Sequence, residues 1–183
     1  MATRRFLGRA VNLAQIDTVH VENTRAADDT VTLTINGKDI VLTIGATVTT
    51  TAVATGIKEA VNGESQTESD YSVTQTGNNI GEFARITATV SGSVVTLTGD
   101  DAGVPFTLSV TESTAGDGTA TEATSQSATG QWHFDNADNW SGDTVPVDGD
   151  DIVLDFGDEN SGILYGLTAS IQPASLTITQ GFL

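Results

Sequence analysis

Thr30-Val31-Thr32-Leu33-Thr34-Ile35-Asn36-Gly37-Lys38-Asp39-Ile40-Val41-Leu42-Thr43-Ile44, running on through Gly45 to Asn62, is the stretch on which the fold turns. Val31, Leu33 and Ile35 alternate with threonine and asparagine, the period-two pattern of a strand with one buried face. Asn36-Gly37 accepts positive φ at both residues and predicts a tight hairpin turn. Ile40, Leu42 and Ile44 predict the return strand. After Gly45 the period changes. Val53, Ile57 and Val61, with Ala54 and Ala60 beside them, make one apolar helical stripe facing the same core. Thr49, Thr50 or Thr51 can cap its start, and Asn62-Gly63 supplies a left-handed stop.

Outward from this unit, Thr18–Asn23 alternates as a strand, with His20 read as a surface or interface histidine. Ahead of it, residues 1–17 read as a basic docking arm, loosely amphipathic through Phe6, Leu7, Ala10, Val11, Leu13 and Ala14. Such an arm is disordered alone and ordered on docking. On the carboxyl side, Gly63–Gly81 is a polar loop holding a short strand at Tyr71–Thr74. Phe83–Val90 alternates with Ile86, Ala88 and Val90 on one face, Ser91-Gly92-Ser93 turns, and Val95 and Leu97 return. Phe106, Leu108 and Val110 give a last strand. Residues 113–130 are rich in Thr, Ser, Gly and Ala without apolar period, and read as a linker. The expected fold is mainly β (α+β). An antiparallel sheet at 18–112 is covered on one face by a single helix, and a short acidic β-rich module follows at 131–183.

The chain of 183 residues carries a net charge of −17, which argues against nucleic acid or an anionic membrane as partner. Its cations are uneven: Arg4, Arg5, Arg9 and Arg25 come early, and no Lys or Arg follows Arg85. With no cysteine, neither disulfides nor thiolate metal sites are available. Phe6 and Leu7 do not make a signal-peptide core, no apolar run approaches membrane-spanning length, and no export signal is expected. Without one, Asn139-Trp140-Ser141 reads as a chance glycosylation match.

Candidate chemistry is thin. The aspartates between Asp135 and Asp158 are hard ligands of the type calcium takes, but their spacing matches no calcium loop, and solvated turn aspartates are the default reading. His133 near Asp135 and Asp138 lacks a second histidine beside it for a transition metal. Asp150 and Asp151 are weak candidates for a glycosidase carboxylate pair. Gly77–Gly81 is a turn without the lysine of a phosphate loop, and no nucleophile elbow occurs. No enzyme, cofactor or metal is expected.

The stretch Asp29–Thr111 resembles small modules of bacteriophage and prophage tail and head proteins. The resemblance lies in Val31–Ile40, the helix Ala52–Asn62 and Val95–Val110. Such modules also occur in large bacterial surface proteins. Gln131-Trp132-His133-Phe134-Asp135, Asn139–Pro146 and Asp148–Leu154 in turn resemble the opening turn of parallel β-helices in autotransporter-type passengers and phage fibres or spikes. There a tryptophan and a Val-Pro turn precede the first strand of the coil. Ile163, Leu164 and Leu167, then Ser175–Thr179, would supply further rungs. Only one or two coils fit before Leu183, so completion by another subunit, or by a longer chain, is expected.

The resemblance implies a non-enzymatic virion structural protein. The first reading is a capsid decoration (cement) protein on the major capsid protein or another virion protein, as a homo-oligomer with a trimer favoured. Arg4, Arg5, Phe6 and Arg9 would dock, and Trp132, Phe134 and Trp140 would pack or form an interface. A tail fibre or spike for host receptors is the alternative, and a bacterial surface adhesin the third.

Overall fold

A computed structural model describes residues 2–67, 69–76, 81–113, 118–155, 165–167 and 170–179. Residues 77–80 of the expected turn at 77–81, the expected rungs at Ile163 and Leu164, and the apolar ending 181–183 lie outside the described residues. The strands are β1 (Thr3–Arg5), β2 (Ile16–Glu22), β3 (Thr30–Ile35) and β4 (Lys38–Ile44), followed by the helix α1 (Thr50–Asn62). Then come β5 (Tyr71–Thr76), β6 (Ile86–Ser91), β7 (Val94–Gly99), β8 (Leu108–Ser113), β9 (Thr119–Gln126), β10 (Asp151–Leu154) and β11 (Ser175–Ile178). The protein is mainly β with one α-helix, and the chain divides into two compact units.

The larger unit is Gln15–Asp101 with Phe106–Ser127. Its hairpin forms as the pattern predicts: Val31 pairs with Leu42 and Ile35 with Lys38, across a turn where Asn36 and Gly37 have φ of 48° and 76°. Helix α1 begins where Thr49 accepts from the Ala52 N–H at 3.2 Å and ends where Gly63 takes φ 65°. Both ends therefore obey local capping chemistry.

Tertiary arrangement departs from the expectation of one covered sheet. There are two antiparallel four-stranded sheets, ordered β6-β7-β2-β9 and β5-β4-β3-β8, and α1 packs against strands of both. The helix accommodates two neighbours because it is buried well beyond a single stripe, at Val53, Ala54, Gly56, Ile57, Glu59, Ala60 and Val61. Phe83, placed in a strand by the pattern, instead opens a short 3-10 turn, and Val90 is exposed at the end of β6.

The expected linker at 113–130 needs correction, because Thr119–Gln126 is strand β9. It pairs along β2 from Glu22–Thr119 to Ile16–Gln126. Its side chains are mostly exposed, so backbone hydrogen bonds hold it and no apolar period betrays it.

Gly56 marks the closest approach to α1. A Cβ there would sit 2.8 Å from the Tyr71 ring and 3.1 Å from Leu42 Cδ1. The ring cannot swing aside, since the Tyr71 hydroxyl donates to Glu59 Oε2 at 2.6 Å. Gly56→Ala gains about 1 kcal/mol of helix propensity, while overpacking costs about 1–3 kcal/mol. We expect a net loss, read as a lower urea midpoint with unchanged slope.

Glu59 is the buried carboxylate of this helix. Its oxygens accept from Thr67 Oγ1 at 2.5 Å, the Thr67 N–H at 3.1 Å and Tyr71 Oη at 2.6 Å. Burial pushes its pKa up, but the bonds from Thr67 and Tyr71 outweigh burial and hold it below the ordinary carboxylate value. A lowered folded-state pKa adds stability that is fully present above the unfolded pKa and is lost as pH falls through the folded one. Stability should therefore fall on acidification below the ordinary glutamate range. In Glu59→Gln that part of the acid dependence should flatten, measured by urea titrations at successive pH values.

Candidate functional site

The smaller unit is Met1–Ala14, Ala102–Pro105 and Ala128–Leu183. Its sheet is wholly parallel, in the order β1-β10-β11. Arg4 lies opposite Ile152 and Ile152 opposite Leu176, while Leu154 pairs with Ile178. Successive rungs β10 and β11 are 24 residues apart, as the Ser175–Asp151 bond records. A second parallel contact joins His133 to Tyr165, where the Phe134 N–H donates to the Tyr165 carbonyl at 2.8 Å and the Tyr165 N–H to the Trp132 carbonyl at 2.9 Å. The pairings β1–β10, β10–β11 and His133–Tyr165 are all parallel.

Residues 1–17 are corrected from a free arm to a built-in part of the fold. Residues 3–5 form β1, and residues 16 and 17 begin β2 of the other unit. Asp150 anchors the first residues: its Oδ1 accepts from the Ala2 N–H at 2.9 Å, and its Oδ2 lies 3.4 Å from Arg4 Nε. The Ala2 N–H, then the Val147 N–H and the Arg4 side chain, hold the Asp150 carboxyl below its ordinary pKa against the opposing effect of desolvation. Arg5 meets Asp155 at 3.0 Å, and Arg9 pairs with Asp143 while its Nε donates to the Asp138 carbonyl at 2.8 Å. All three expected docking arginines are thus engaged within their own unit.

Phe6, Phe134 and Trp140 come together as the core, with Ile152 and Leu154, and Trp132 packs against it. Trp140 meets Phe6 edge-on at 5.1 Å and Phe134 at 4.8 Å, and its Nε1–H donates to the Phe134 carbonyl at 2.7 Å. These contacts place the rings at the packed centre of this unit.

Pattern reading missed Asn139. Its buried amide accepts from the Ala10 N–H at 2.8 Å and donates to the carbonyls of Gly130 at 2.7 Å and His133 at 2.8 Å. Those bonds tie Ala10 to the nearby turn at Gly130 and His133, and only the crowding of Asn beside Trp140 hinted at the role. His133 is buried, its Nε2–H donating to the Gly103 carbonyl at 2.9 Å. A carbonyl only accepts, so Nε2 carries the proton. Asp151 accepts from Ser175 Oγ at 2.5 Å. Among the described residues no three acidic or histidine side chains gather as a metal site, and no helix is long and apolar enough to cross a membrane.

The two ends of the stack differ. Beyond β1, the chain closes the edge itself: the Ser141 N–H donates to the Arg5 carbonyl at 2.9 Å, the Leu7 N–H to the Asn139 carbonyl at 2.6 Å, and Phe6 bridges Trp140. Beyond β11, no described strand pairs, and Leu176 and Ile178 are 55% and 52% exposed. Beside them a hollow of about 420 Å³ opens among Phe134, Ile152, Leu154, Leu167, Ile171 and Leu176. An uncovered strand edge with apolar side chains is a surface that adds strands. Neither a scan against protein-family models nor a search of the curated proteins finds a match for this chain.

Proposed function

We propose that the chain is a non-enzymatic structural protein of a bacteriophage particle. In this reading it is a capsid decoration (cement) protein that binds the major capsid protein or another virion protein as a homo-oligomer, a trimer in first reading. One observation carries it: a parallel stack closed at β1 and, among the described residues, with no strand beyond β11, joined in sequence to a two-sheet unit whose apolar side chains are largely spent on its own core. Such a surface bonds to other chains through backbone and apolar contacts rather than through a reactive side chain. Because Arg4, Arg5 and Arg9 are paired internally, docking by an ordering arm is replaced by docking through the strand edge.

The same parallel stacking favours a second reading, a tail fibre or spike, since a fibre lengthens by adding coils in one direction. Quantitative mass spectrometry of purified particles separates the two. A copy number near that of the main shell protein supports decoration. A few per cent of that number moves the protein to the tail, and absence from particles overturns both.

A further inference from the structure

We propose that Asn62, the last residue of α1, is a lock on the edge of β6. Its side chain takes the place of an added strand and keeps that edge from pairing with the β6 edge of a second copy of this chain. The inference goes beyond the particle reading and stands without it, because it rests on bonds made within the two-sheet unit.

β6 ends the sheet ordered β6-β7-β2-β9, and α1 packs against it. In an antiparallel ladder the backbone groups of every second residue turn away from the partner strand. On β6 these belong to Ile86, Ala88 and Val90, because Ala88 is bonded on the side away from β7. The Ala88 N–H donates to Asn62 Oδ1 at 2.9 Å, and Asn62 Nδ2 donates back to the Ala88 carbonyl at 3.0 Å. Such a reciprocal pair is what a facing residue of a neighbouring strand supplies. One position earlier on the same edge, the Ile86 N–H is taken by the Phe83 carbonyl. Val90, at the far end, is 36% exposed. The middle of the edge is thus occupied by a side chain of the helix.

The lock needs an amide. Asn62 Nδ2 also donates to Glu64 Oε1 at 2.9 Å, and Glu64 pairs with Lys58. The end of α1 sets Glu64 there: Gly63 takes φ 65° and the Glu64 N–H donates to the Glu59 carbonyl at 2.8 Å. With two acceptors facing its nitrogen and a donor facing its oxygen, the amide has one orientation. A carboxylate of the same shape has no proton for the Ala88 carbonyl and would lie against the charge of Glu64. A second copy is the occupant that the lock excludes, because the β6 edge is self-complementary. Two such edges meeting antiparallel across a two-fold axis at Ala88 exchange both bonds between the two Ala88 residues, and set Ile86 of each copy opposite Val90 of the other.

The test starts with the unsubstituted full chain. Amide hydrogen exchange followed by NMR should find the Ala88 N–H protected and the Val90 N–H, two residues along the same edge, exchanging readily. This comparison holds whether or not a variant folds. In Asn62→Asp and in Asn62→Ala, with far-ultraviolet circular dichroism unchanged, the Ala88 amide should exchange about tenfold faster, as loss of one hydrogen bond implies. Both variants should also self-associate more strongly than the unsubstituted chain in sedimentation at high salt, which screens the net charge of −17. Adding Val90→Lys to either should return the association to that of the unsubstituted chain, since a lysine on an edge strand opposes pairing. An Ala88 amide that exchanges as fast as that of Val90 in the unsubstituted chain overturns the inference. So do Asn62 variants that keep its protection or leave self-association unchanged, and association indifferent to Val90→Lys.

Discussion

Trp140→Ala is expected to lower the stability of the parallel unit by about 3–5 kcal/mol, the range for truncating a large buried aromatic. Trp140 is 0% exposed, and the substitution removes two edge-on ring contacts, the bond to the Phe134 carbonyl and the filling between β1 and β10. Because both tryptophans belong to this unit, Trp132 remains as a fluorescent reporter of it alone. Its thermal transition should fall steeply in Trp140→Ala and less in Trp140→Phe, which keeps a ring but loses the N–H. A loss below about 1 kcal/mol would mean that the aromatic cluster does not hold β1 in place.

The second large effect concerns Arg25 and Glu112. The Arg25 side chain is 0% exposed and that of Glu112 16%. Nη2 pairs with the Glu112 carboxylate, while Nε and Nη1 find no hydrogen-bond acceptor among the described residues. A buried guanidinium with one ionic partner is costly to strand. Glu112→Ala should therefore destabilise the two-sheet unit by about 3–5 kcal/mol. Arg25→Met removes the charge and keeps much of the apolar stem, and should be neutral or stabilising by about 1–4 kcal/mol. The double variant should recover most of the loss of Glu112→Ala, so a double-mutant cycle in urea gives the coupling directly. Additive losses would show that the pair does not act as a unit.

Arg25 also illustrates what local pattern cannot express. In the sequence it counts as one more early cation, yet it is buried beneath Gly118, where an added Cβ would lie 2.9 Å from Arg25 Cγ. Its partner is 87 residues away. The hairpin and helix were legible because their signals are local: alternation, Asn36-Gly37, Thr49 and Gly63 each act within a few residues. The aromatic residues were legible as packing groups because large rings have few other uses in so polar a chain. Asn139 was not, since an amide shows its worth only when its carbonyl and N–H partners are brought to it.

Residue chemistry alone decided the class of this protein: mainly β, one helix and a tight hairpin at its centre. Each follows from short-range periodicity or turn preference. Three-dimensional packing decided the rest. It split the strands into two sheets with α1 against both, recruited Thr119–Gln126 as a strand, and drew Thr3–Arg5 into register with Asp151–Val153. In those last two strands the stabilising bonds are backbone ladders to distant partners. Backbone groups are the same in every residue, so nothing in the local side-chain pattern announces where such a ladder will form.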